Sequence, residues 1–206
     1  MRTIIARPRF SILLPEVRAG PLSLFETTVA VSSLTQLQNP MQQTPTHPPR
    51  IFALDPTTKG FGYAGCELPF RLVDWGLAHV SGEKESGAVA RFEAFLDQFR
   101  PDVVILEDSA APGSRRRPRV QKLLGKLQET SRERGIEVQA LPRLAVIDCF
   151  SSPDERATKY SITKRLAETF PELAEKVPQR RKIWQSEDER IATFDALALA
   201  VTYAMK

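Results

Sequence analysis

The sequence predicts an α/β domain: a five-stranded mixed sheet, three antiparallel strands followed by two parallel ones, with helices on both faces. Two observations carry this. Three strand-period segments follow one another at hairpin spacing from Ile51, and two later apolar strands are each entered through a helical segment. A third observation bounds it: 206 residues suit one domain of ordinary size plus a surplus, and the surplus lies at the start.

IFALDP is read as the first strand, and GFGYAGCEL follows as the second after a tight turn at 57–60. RLVDWGLAHV alternates as the third, completing a meander. SGAVARFEAFLDQF then places Val89, Phe92, Phe95, Leu96 and Phe99 at helical spacing, and Pro101 ends that helix. DVVILE is a continuous apolar strand of the kind buried on both faces. A second helix is expected over 119–134, closed by Gly135, with IEVQAL as the fifth strand. Further helices are expected over 158–170, stopped by Pro171, and over 187–204. Strands four and five, reached through helices, should run parallel to strand one.

Residues 1–50 show neither period, and their end, NPMQQTPTHPPR, is polar and rich in proline. Such a segment buries too little apolar surface to offset its ordering entropy. It is therefore expected to be a disordered extension or linker ahead of a folded domain at 51–206, with Met41 a candidate translation start. The first 25 residues are arginine-rich and nearly free of acid, which keeps organellar targeting open beside a cytoplasmic, nucleoid-associated location. No apolar run approaches the length of a membrane span, so no membrane partner is expected. The two cysteines, Cys66 and Cys149, form no CxxC pair and His47 and His79 stand alone, which argues against zinc; both thiols are expected to be buried. A net charge of +4 hints at an anionic partner.

Three carboxylates fall where this architecture converges. Asp55 closes the first strand, Glu107 closes the fourth on the face of Val103 and Ile105, and Asp195 lies within the apolar last helix. A charge there is costly unless paired, and no Lys or Arg shares its stripe, so its partner comes from elsewhere. Each acid has an ordinary explanation: a turn residue before Pro56, a strand end, a distant arginine for Asp195. Their conjunction favours divalent cations, which relieve the repulsion between clustered anions. Two ions about 4 Å apart can activate water and stabilise the leaving oxygen in phosphodiester cleavage.

The motifs ALDPTTKGFGYAGCE, DVVILEDSAAPGSRRRPRVQKLLGKL, EVQALPRLAVIDCF with ATKYSITKRLAETF, and FDALALAVTYAM occur in this order. Together they resemble the successive motifs of the RuvC-type Holliday-junction resolvases, of the RNase H-like superfamily, from about Ile51 to Met205. The resemblance implies an RNase H-like fold and metal-ligand and catalytic roles for Asp55, Glu107 and Asp195. It also implies Mg²⁺ or Mn²⁺ as cofactor, two ions in all, and branched DNA as partner of a homodimer. It has two gaps. The resolvases usually carry a further acid three residues before the last one, where this chain has Ala192, and Asp188, seven residues before Asp195, is the candidate substitute, with a helix N-terminal role as the alternative. The loop after Glu107 also lacks the resolvases' aromatic wedge.

Arg115, Arg116, Arg117 and Arg119 crowd the segment after Glu107, and Lys159 heads the ATK helix; these are the candidate phosphate contacts. Arg180, Arg181 and Lys182 form another basic cluster beside Trp184, whose ring is expected in the core rather than stacked on a base. The reading is a metal-dependent endonuclease acting on structured DNA. The alternative is a non-catalytic nucleic-acid-binding module, with Ala192 as the mark of an eroded site. An actin-like ATPase needs two such domains and is excluded by length.

Overall fold

The computed structural model describes residues 47–80, 83–112, 114–180, 182 and 184–206. Residues 1–46 of the expected extension, Met41 among them, lie outside these; 47–49 belong to no helix or strand, and Arg50 already belongs to the first strand.

The meander forms as predicted: β1 (Arg50–Pro56), β2 (Gly60–Glu67) and β3 (Arg71–His79) pair antiparallel in sequence. After α1 (Lys84–Phe99), β4 (Val103–Glu107) joins β1 in parallel; after α2 (Pro118–Glu133), β5 (Glu137–Leu141) joins β4 in parallel. The sheet order is β3-β2-β1-β4-β5. Then come α3 (Arg143–Phe150), α4 (Lys159–Thr169), a 3-10 turn (Pro171–Lys176) and α5 (Ile191–Ala204).

The period of two along β1 and β4 divides the core into two layers. Phe52, Leu54, Val104 and Leu106 face α1 and α2, packing on Phe92, Phe95 and Leu124. Ile51, Ala53, Val103 and Ile105 face α5 with α3 and α4 around it. The next residue of each strand on that second face is Asp55 and Glu107. Strand alternation alone therefore aims both acids at α5.

Helix α5 is buried on every side from Ile191 to Thr202, the signature of a central helix rather than an amphipathic one. It lies unusually close to the sheet at Gly62. A Cβ at that position would sit 2.2 Å from the carbonyl carbon of Ala192, so only glycine admits the helix backbone here. Gly62 is the register partner of Asp55. One turn beyond Ala192 comes Asp195, which this close approach brings to the end of β1. Thr193 Oγ1 donates to Gly76 O at 2.9 Å and pins the same turn to β3.

Two elements depart from expectation. The helix α3 was not foreseen: its eight residues carry no side-chain cap, and its apolar positions mark no single face. Helix α5 begins at Ile191 instead of residue 187, because Asp188 Oδ1 accepts from Arg190 N at 2.9 Å and holds a turn that competes with the helix. Cys66 is buried, whereas Cys149 is only half-buried; both are free thiols.

Candidate active site

The three acids meet at the C-terminal edge of β1 and β4, under the first turns of α5. All three are almost inaccessible: Asp55 is 4%, Glu107 5% and Asp195 3% exposed. Carboxylates this deep require compensation, and each has it.

Asp55 and Glu107 share one cation. Arg116 Nη2 is bonded to Asp55 Oδ1 and to Glu107 Oε2, the latter at 2.5 Å. Two oxygens on one nitrogen lie within about 6 Å of each other. Asp195 has two cations of its own: Arg143 Nη1 donates to Oδ1 at 2.9 Å, and Lys159 Nζ stands 2.9 Å from Oδ2. The Lys159 contact is an ion pair without hydrogen-bond alignment, so Oδ2 is a buried oxygen that accepts no hydrogen bond.

Lys159 is placed by its own helix start. Thr158 caps α4 by accepting from Ser161 N, and Ser161 Oγ in turn accepts from Thr158 N, which makes Lys159 the first helical residue. Its ammonium also reaches Glu187 at 3.0 Å. Arg143 is placed by α3, and since that helix went unforeseen, so did the arginine. Only the absence of any cation on the α5 stripe hinted that one must exist.

The charges speak to one another. Burial, opposed by Arg116 and reinforced by Asp195, pushes the Asp55 carboxyl up to about 7. Burial pushes Asp195 the same way, but Lys159 and Arg143 overcome it and hold that carboxyl below the usual range.

An open cleft of about 700 Å³ lies over Asp55 and Asp195. Arg115, Arg117 and Arg119 line it and are exposed, while Arg116 turns inward. Glu187, Asp188 and Glu189 line the same cleft. Asp188 does not share a helical face with Asp195, because it precedes the helix, and Arg190 binds its carboxylate at 2.6 Å. Trp184 is not in the core: it is 79% exposed, with Lys182 Nζ 5.5 Å from the ring centroid. Arg181 lies outside the described residues. Ala192 is buried, with its backbone against Gly62, and lines the cleft where the resolvases usually carry an acid.

The donor set suits a hard divalent cation: Asp55 and Asp195 line the cleft, and Glu107 is joined to Asp55 through Arg116. As the side chains stand among the described residues, no three of them cage an ion, and the guanidinium of Arg116 takes the place between Asp55 and Glu107.

No sequence-family profile and no curated protein matches the chain. Solved structures do. The chain is similar to RuvC of Thermus thermophilus, with 20% identity over 75% of this chain and 93% of that one and a TM-score of 0.50. It is similar also to Ydc2, the yeast mitochondrial Holliday junction resolvase, with 14% identity over 78% of this chain and 80% of that one and a TM-score of 0.53. The fold is that of the RuvC-type resolvases. In this RuvC-type fold the five-stranded sheet, the helices on both faces and the parallel β1, β4 and β5 stand as the sequence predicted. Among the described residues no helix is long and apolar enough to cross a membrane.

Proposed function

We propose that the chain is a Mg²⁺- or Mn²⁺-dependent endonuclease that hydrolyses phosphodiesters in branched DNA. The observation that carries the reading is the burial of Asp55, Glu107 and Asp195 close enough for Asp55 to feel the charge of both others, beside a cleft lined by exposed arginines. Three buried acids so grouped are expensive to fold, and a cation-assisted reaction is a reason to keep them.

Asp55, Glu107 and Asp195 would hold the cations. Bound there, two divalent ions supply activation of water and stabilisation of the leaving oxygen. Arg115, Arg117 and Arg119 would grip phosphates on either side of the scissile one, which positions DNA without reading its sequence. Lys159, between Asp195 and the cleft, puts a positive charge where the phosphate would lie. Trp184, exposed close to the acidic wall, offers a ring on which an unpaired base at a branch point can stack. Asp188 is a candidate for a water-mediated cation contact once released from Arg190. The motif resemblance implies a homodimer, whose two-fold axis would match a four-way junction.

The test is a panel of duplex, flap, three-way, four-way and RNA–DNA hybrid substrates with each divalent metal. Four-way junctions are expected to be cut with Mn²⁺, and Asp55→Asn to abolish cutting while leaving junction binding in place. Binding without cutting in every metal would instead favour the non-catalytic module that Ala192 suggests.

A further inference from the structure

Arg116 behaves unlike the arginines around it. Arg115, Arg117 and Arg119 are exposed on the cleft wall. Arg116 has four-fifths of its side chain covered and presents a single nitrogen to both Asp55 and Glu107. That nitrogen stands where a cation shared by the two acids would have to stand, so Arg116 and such a cation exclude each other.

A guanidinium does not lose its proton in a protein. Arg116 can therefore vacate the acid pair only by moving, and its setting permits this. It belongs to the connection between β4 and α2, whose described residues form turns but neither helix nor strand. Its start is tied to β5 and α2, Asp108 N donating to Leu141 O at 2.8 Å and Gln121 Nε2 to Ser109 O at 3.4 Å, but nearer Arg116 the backbone hydrogen bonds are short-range, such as Ser114 N to Ala111 O at 3.1 Å. Moving out costs Arg116 two charge-assisted bonds, and a DNA phosphate is one of the few groups able to replace both. The three exposed arginines beside it would bring a phosphate within reach.

We infer that Arg116 is a latch on the acid pair: in the free protein it competes with divalent cations for Asp55 and Glu107, and a DNA phosphate draws it off. This rests on the nuclease reading and adds an order of events to it. The free chain holds cations weakly, and DNA and cations tighten one another by the same factor, since such coupling is reciprocal. The latch also gives the buried pair a counter-charge when no substrate is present.

Mn²⁺ binding to the full-length chain tests this directly. Without DNA, Arg116→Gln is expected to bind Mn²⁺ about tenfold more tightly than the unchanged chain, a typical size for coupled sites. A four-way junction with hydrolysis-resistant phosphorothioates at its centre should raise the unchanged chain's Mn²⁺ affinity by a similar factor, and that of Arg116→Gln by less than about twofold. Equal or weaker Mn²⁺ binding by a natively folded Arg116→Gln overturns the latch. Because two uncovered carboxylates can unfold that variant, the unchanged chain supplies a second reading. Phenylglyoxal should modify Arg115 and Arg117 while sparing Arg116, and saturating Mn²⁺ should bring Arg116 up to the rate of its neighbours. An Arg116 that reacts freely without Mn²⁺, or stays spared at saturation, overturns the latch. If neither chain binds Mn²⁺ and no junction is cut, the nuclease reading falls along with it. If Mn²⁺ binds and junctions are cut while Arg116 remains spared, the latch alone falls.

Discussion

The acids on the sheet and the acid on the helix solve the same problem in different ways. Asp55 and Glu107 divide one guanidinium, delivered by an irregular connection. Asp195 is met by two cations, each delivered by a helix, Arg143 from α3 and Lys159 from α4, the lysine shared with Glu187. The electrostatic result is opposite in sign: the Asp55 carboxyl is pushed up to about 7, and that of Asp195 is held down. The lesson is that burial by itself does not set the charge of a carboxylate; the number and rigidity of its partners decide it.

This contrast predicts stability changes of opposite direction. Asp195 keeps its proton off more readily in the fold than in the unfolded chain. It therefore contributes stability that is present above the ordinary carboxylate range and lost as pH falls through its folded value. Asp195→Asn strands Arg143 and Lys159, and should cost about 2 kcal/mol at pH 8, less than a fully buried pair because Lys159 is 39% exposed. Asp55 is the reverse. Between 3.8 and about 7 the fold retains a proton that the unfolded chain has released, so the wild-type chain loses stability as pH rises through that window. Asp55→Asn should therefore gain stability relative to wild type as pH rises from 4 to 8. Urea midpoints at four pH values decide this, and a gain for both variants, or a loss for both, would break the comparison.

The next effect separates the arginines free for DNA from the cations committed to acids. Replacing Arg115, Arg117 and Arg119 together with Ala should lower the slope of log binding constant against log salt by about 2.7, some 0.9 for each phosphate no longer neutralised. Arg143→Ala, which removes a cation already spent on Asp195, should leave that slope unchanged. The measurement is junction binding across a salt titration, and equal slopes for the two variants would erase the distinction.

The smallest effect concerns how a helix holds its cation in place. Thr158→Ala removes the cap that starts α4 at Lys159, and should cost about 1 kcal/mol in urea unfolding. Thr158→Ser, which keeps the hydroxyl, should restore most of it.

Much of this arrangement was legible in the chain. Strand period placed Asp55 beyond Ala53 and Glu107 beyond Ile105 on one face, and the acid inside an apolar helix announced itself by its cost. The partners of those acids were not legible. Arg116 was singled out for phosphate, yet it reaches back 61 residues to Asp55, and Arg143 bridges 52 residues to Asp195 from a helix too short and too evenly apolar to be recognised. Such pairings depend on how elements stack, and neither period nor propensity records that. Trp184 was misplaced for a related reason: an aromatic ring in a basic loop looks apolar in sequence, and only the fold shows that nothing covers it. The start of α5 was lost to a side chain, since the Asp188 turn outcompetes four further residues of helix.

At Gly62 the fold depends on an atom that is not there. The bare strand sets how far the last helix stands from the sheet, and with it the width of the cleft mouth between the end of β1 and Asp195. A single methyl group at that position would act as a shim, lifting the acid of α5 away from its two companions while leaving every charged residue intact. Anyone seeking to change the spacing between Asp55 and Asp195 would find the adjusting screw at this uncharged, buried residue.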